Sequence, residues 1–217
     1  MDLLYPLFFT LEVALLFVMS RQVYFGFGKI FYRMTKNEKW TGYLIAILFL
    51  PGTMVHEFAH FLTALFLLVP VGEIDLIPEF DRREEKLGIK LGSVPIGKTD
   101  PFRRFIIGIA PLIFGTILIF LALYYITVTD LTIVWWHYVL LGYLVFEIGN
   151  TMFLSKRDLE GAWKVLLVLV IVSFSSYILG YHPVLSKEVI DITEKAIIFL
   201  GMPIIIDMVL LALVKLA

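Results

Sequence analysis

The chain has 217 residues, 60% of them hydrophobic and 17% charged, with a net charge of −1 and no cysteine. Its mean hydropathy is +0.91, whereas soluble domains run at roughly 45–50% apolar and about 25% charged, so a soluble globular protein is excluded and an all-α polytopic membrane protein is expected. A balanced charge speaks against nucleic acid as a partner, and without thiols any metal must be held by His, Asp or Glu.

A helix needs about 20 mostly apolar residues to cross a bilayer. Stretches of that kind lie at roughly 3–19, 43–69, 105–127, 132–149, 162–180 and 196–214, which predicts about six transmembrane helices in a single membrane domain, 1–217. The opening MDLLYPLFFTLEVALLFVM lacks the basic leader and small-residue cleavage site of a signal peptide, and is read as a retained first span with Glu12 turned into the bundle. Next, RQVYFGFGKIFYRMTKNEKW mixes aromatics with Arg21, Lys29, Arg33, Lys36 and Lys39. It reads as an interfacial amphipathic segment or as a continuation of the first helix.

The long polar connection follows the second span. VGEIDLI and KLGIKLGSV alternate apolar with polar or glycine positions on either side of the charged PEFDRREE. That pattern predicts a β-hairpin insertion within 70–98, between the second and third helices. Asp100 is then the expected N-cap of a helix that opens with Pro101. With six spans, loops 70–104 and 150–161 share a side and carry nine basic residues, Arg82 to Arg104 plus Lys156 and Arg157. The positive-inside rule leans toward a cytosolic hairpin and site, in a multi-pass protein of the cell membrane.

Two of the four histidines fall inside HEFAH, residues 56–60, within an otherwise apolar span. His56 and His60 are four apart, so they share one helix face and can converge on one ion. Glu57, beside the first of them, is placed to act as general base, and imidazole ligands suit zinc. A third ligand is needed. Glu147, Asp158 and Glu160 are the candidates, with His137 and His182 further off. Asp158 lies at the end of a polar, non-helical break expected over 150–158, where irregular backbone can line a cavity, or where Asp158 simply caps the next helix.

In these motifs the chain resembles the site-2 protease family of intramembrane zinc metalloproteases. That family combines His-Glu-x-x-His in a transmembrane helix with a later Asn-x-x-Pro-x-x-x-Leu-Asp-Gly. Here Asn150 and Asp158 stand eight apart, the family's spacing, and GIAPLIFGT, residues 108–116, precedes them in the family's order. The likeness spans roughly residues 45–165. Phe153 replaces the motif's proline, Arg157 precedes the aspartate, and glycine comes only at Gly161. No PDZ-like insertion is present, as in a minimal core.

The resemblance implies a zinc-dependent endopeptidase with His56, His60 and Asp158 as ligands, Glu57 as base and Asn150 as a donor to the substrate or transition state. It also implies a transmembrane or membrane-associated protein substrate, bound in extended form on an edge of the hairpin. The contrasting expectation is a zinc-binding membrane protein without protease activity, a transporter or pseudoenzyme. Neither the substrate nor the oligomeric state is written in the sequence.

Overall fold

A computed structural model of the chain describes residues 4–83, 86–128, 135–153, 158, 162–180 and 186–216. Among the described residues, seven helices and two short strands follow one another: α1 (Leu4–Thr35), α2 (Glu38–Leu48), α3 (Leu50–Phe66), β1 (Glu79–Arg83), β2 (Lys86–Lys90), α4 (Pro101–Val128), α5 (Trp135–Thr151), α6 (Ala162–Ile178) and α7 (Lys187–Leu216). Among the described residues, three stretches are long and apolar enough to cross a membrane: Leu7–Thr35, Pro101–Tyr125 and Lys187–Val214. Large apolar side chains cover their outer faces, Phe8, Phe25, Leu121, Ile205 and Met208 among them, as a lipid solvent permits.

Helix α1 runs straight through the basic-aromatic segment, so that segment continues the first helix. It stops at Thr35, where Lys36 takes φ +51, and Asn37 caps α2 by accepting from the N–H groups of Lys39 and Trp40. The second expected span, 43–69, is broken: α2 and α3 meet at an angle of 70° around Phe49. Pro51 is the cause, because it has no N–H for the carbonyl of Ile47 and its ring crowds that carbonyl. The pair is a broken span or a re-entrant loop. Helices α5 and α6 hold 17 residues each, about 26 Å of helix at 1.5 Å per residue.

The break opens a second gap. In a continuous helix the Leu48 carbonyl would accept from the Gly52 N–H, four residues on. Here α5 supplies both partners. Tyr143 Oη donates to the Leu48 carbonyl at 2.9 Å, and the Gly52 N–H donates to Glu147 Oε2 at 3.3 Å. One turn further, His56 Nδ1 meets the Thr151 carbonyl at 2.7 Å. Each pair is separated by 95 residues, so the break and α3 run parallel to α5 and the contacts repeat every turn. Gly52 makes the approach possible, since a Cβ there would collide with Thr151 Oγ1 and with the Glu147 carbonyl. Phe49 fills the outside of the bend, with ring centroids 5.8 Å from both Tyr24 and Phe146.

Strands β1 and β2 pair antiparallel, Glu79 opposite Lys90 through Arg83 opposite Lys86. The alternating VGEIDLI contributes only isolated bridges, Val71 with Ile96 and Asp75 with Ser93, and the first full strand lies within the expected turn. Two features interrupt the ladder: Asp75 Oδ1 accepts the Ile77 N–H in an Asx-turn at 2.8 Å, and Pro78 has no N–H to give. Helix α4 begins as its sequence predicts. Asp100 Oδ1 accepts from Phe102 and Arg103 N–H at 3.0 Å each, and the Arg103 N–H bond foremost holds the Asp100 carboxyl below its ordinary range. The long helix α7 packs along α1 and against α5 and α4. A core of Leu16, Met19, Ile119, Val145, Met152, Leu200 and Ile204 joins these four helices.

Candidate metal centre

His56 and His60 project from one face of α3, and Asp158 reaches them from the segment after α5. His60 Nε2 lies 3.1 Å from His56 Nε2 and 3.3 Å from Asp158 Oδ1, and His56 Nε2 lies 3.7 Å from Asp158 Oδ2. The group could hold a metal ion, with all ligand atoms within 4.8 Å of one another.

The outer nitrogens fix what these inner ones can do. His56 Nδ1 sits against the Thr151 carbonyl and His60 Nδ1 against the Ile107 carbonyl, at 2.7 and 2.8 Å. A carbonyl only accepts, so both Nδ1 atoms carry hydrogen and donate. In neutral rings both Nε2 atoms are then bare lone pairs, facing each other and a carboxylate. Three acceptors crowded together are repulsive unless a cation or an added proton lies among them. The spacing suits a metal: two ligands on one tetrahedral zinc stand about 3.3 Å apart when each bond is about 2.0–2.1 Å.

Both carbonyls are free for reasons local to the sequence. Thr151 ends α5, and the last carbonyls of a helix have no intrahelical partner. The Ile107 carbonyl would bond to the N–H of residue 111, but residue 111 is a buried proline inside α4. Proline therefore hands that carbonyl to His60. Immediately after Ile107, Gly108 lets the Asp158 backbone lie on α4, where a Cβ would strike the Asp158 carbonyl.

A cavity of about 700 Å³ opens onto this cluster. Glu57, His56, His60, Asn150, Thr151 and Asp158 line one part of it, and residues 89–94 of the hairpin line another. Glu57 is buried, and Gly92 passes directly over it: a Cβ on Gly92 would stand 2.8 Å from Thr53 Cγ2 and 3.1 Å from Glu57 Cγ. Asp75 and Ser93 exchange both backbone bonds, at 2.8 and 2.9 Å. Alternate residues of a ladder turn to opposite edges, so the N–H and C=O of Gly92 and Val94 face away from Asp75.

The other candidates for third ligand lie elsewhere. Glu147 is fully buried but caps the first turn of α3 through Gly52. His137 stacks on Trp136 at 3.5 Å, in the opening turn of α5. Glu160 and His182 lie outside the described residues. Of the expected break, Asn150 and Thr151 are helical and belong to α5, because the helix continues until its Thr151 carbonyl meets His56. Met152, Phe153 and Asp158 are non-helical, and 154–157 are outside the described residues.

Asn150 lines the cavity, yet its amide N–H₂ donates to the Phe146 carbonyl at 2.9 Å and to Asp207 Oδ1 at 2.8 Å. The donor role expected for it is thus already committed within the protein. Asp207, fully buried in α7, is the polar residue that the sequence reading passed over. Its signal was there, a carboxylate alone in the apolar stretch 196–214. No family model, curated protein or solved structure matches the chain.

Proposed function

We propose that the chain is an intramembrane zinc-dependent endopeptidase, a relative of the site-2 protease family, that hydrolyses peptide bonds of membrane-embedded or membrane-adjacent proteins. One observation carries the reading: three ligand groups, His56 Nε2, His60 Nε2 and the Asp158 carboxylate, converge within 4.8 Å of one another beside Glu57, in a cavity. His56, His60 and Asp158 would hold zinc, which when bound polarises carbonyls and lowers the pKa of water toward ~7. Glu57 takes the proton from the attacking water and later delivers it to the leaving amine. Its neighbour Gly92 keeps the strand close enough to deliver a peptide to that carboxylate. The edge of Gly92 and Val94 that faces away from Asp75 accepts an extended substrate by strand addition, which gives affinity without demanding a side-chain sequence. A substrate helix must unwind to use it, since its own carbonyls are engaged within the helix.

The same reading makes the protein multi-pass. The bent α2–α3 pair counts as one crossing, and α1, α4, α5, α6 and α7 supply five more. The weight of basic residues puts the hairpin and the site toward the cytosol.

The test is zinc content in detergent-purified protein together with cleavage of single-span substrates. Wild type is expected to hold near-stoichiometric zinc, lost in His56→Ala, reduced in Asp158→Ala and kept in Glu57→Gln, with cleavage lowered by at least about 10²-fold in all three. Zinc retained without any cleavage would favour a metal-binding protein that is not a protease. Absence of zinc under metal-replete conditions would sink both.

A further inference from the structure

Among the described residues, two lysine or arginine side chains line the cavity, Lys90 on the hairpin and Arg104 on α4. Lys90 already has its counter-ion: Nζ lies 3.0 Å from Glu79 Oε2, directly across the β1–β2 ladder. Arg103, the neighbour of Arg104, has one as well, its Nε standing 3.3 Å from Asp100 Oδ2. Arg104 is half-buried, and its guanidinium makes no ion pair or hydrogen bond among the described residues. A guanidinium cannot shed its charge, and a partly desolvated charge without a counter-ion is unfavourable. Position ties this charge to the metal centre. Arg104 precedes Ile107 and Gly108 by three and four residues, so it shares their face of α4. That face holds His60 through the Ile107 carbonyl and carries the Asp158 backbone on Gly108.

We propose that Arg104 is a specificity-determining residue that pairs with the side-chain carboxylate of an aspartate or glutamate near the cleaved bond of the substrate. This role rests on the endopeptidase reading and deepens it by naming a substrate class, proteins with an acidic residue beside the cleavage point. The planar guanidinium fork meets a carboxylate in two parallel hydrogen bonds. A peptide seated in the cavity also excludes the water that would otherwise weaken the pair. Reach sets the register. Ile107 and Gly108 lie about 4.5–6 Å further along the α4 axis at 1.5 Å per residue, and the Arg104 side chain tilts away from them, toward the start of the helix. An extended peptide covers about 3.3 Å per residue, so the acidic residue falls within about four residues of the cleaved bond. Lys90 does not compete, because Glu79 already holds it. An arginine that merely anchored α4 at the headgroups would set the depth of the helix and leave substrate charge unread.

The probe is a cleaved single-span substrate with glutamine at the four positions on each side of the cleaved bond, each replaced in turn by glutamate or by lysine. Both chain ends are kept well beyond that reach, so that no terminal carboxylate takes part. Wild type, Arg103→Met, Arg104→Met and Arg104→Glu are compared by kcat/KM, with zinc content as the measure of a folded site. Wild type should favour glutamate over glutamine by about tenfold at one position. Arg103→Met should keep that ratio. Arg104→Met should bring it to within about twofold while zinc is kept, and Arg104→Glu should favour lysine over glutamate at the same position. Should either Arg104 variant lose zinc, the other decides. Wild-type cleavage that ignores charge at every position, or a glutamate preference surviving in the zinc-loaded Arg104 variants, overturns this inference and leaves the protease reading standing. A zinc-loaded wild type that cleaves no member of the series overturns the protease reading and this inference with it.

Discussion

The bend at 48–52 and the cluster at 56–60 lie one helical turn apart on the same α5 neighbour, yet their polar groups are arranged differently. At the bend, donors meet acceptors: Tyr143 Oη gives to the Leu48 carbonyl and Gly52 N–H gives to Glu147. In the cluster, both histidines spend their donors outward on carbonyls and turn acceptors inward on each other and on Asp158. Glu147 and His60 are both buried, so burial of an ionisable group does not by itself mark chemistry. The mark is a set of metal-ligand atoms turned toward one another. Glu147 does keep Oε1 without a partner among the described residues, but no second ligand stands beside it among those residues.

The largest effects should break this contrast outright. His60→Ala removes one of the three acceptors and should abolish stoichiometric zinc, read by metal analysis after purification, whereas Glu147→Leu should leave zinc in place. Zinc loss in both would mean that metal binding also needs Glu147, so the bend and the cluster could not be separated as the contrast requires. Glu57→Gln comes next. It keeps the ligand set and removes the base, so zinc should stay while cleavage falls by roughly 10²–10⁴-fold, the usual worth of a general base.

Pro111→Ala sharpens the contrast by giving two readings of opposite sign. It restores an N–H that competes with His60 Nδ1 for the Ile107 carbonyl. Zinc affinity, measured against a competing chelator, should fall about tenfold, the lower end for loss of an outer-shell partner. Thermal stability should rise at the same time, since an interior proline costs a helix about 3 kcal/mol. A fall in both would show that the proline shapes α4 packing and does not act by freeing a carbonyl.

The sequence made some of this legible and hid the rest for definite reasons. His56, Glu57 and His60 were visible because a helix turns local spacing into a shared face, and Asp100 with Pro101 because caps are local too. The freed carbonyl at Ile107 follows from Pro111 by counting back four residues, but nothing local says that a histidine will use it. Glu147 could be read as a ligand because its real partner, the Gly52 N–H, exists only after Pro51 bends the chain and brings the gap against α5. Asp75 and Pro78 displaced the expected strands because alternation reports a face and not an unbroken ladder. Asp207 went unremarked because its meaning lies in Asn150, 57 residues away.

The smallest effect tests the bend itself. Glu147→Gln keeps a side-chain oxygen for the Gly52 N–H and removes the carboxyl, so zinc content should not change and unfolding in detergent should shift by less than about 1 kcal/mol. Glu147→Leu leaves the same N–H buried without an acceptor and should cost about 1–3 kcal/mol. The separation between the two variants isolates the hydrogen bond from side-chain volume, because leucine and glutamine both fill the site. Equal stability in both variants would mean that Gly52 finds another acceptor and that Glu147 does not hold the bend. Its burial would then need the kind of explanation reserved here for the histidine cluster.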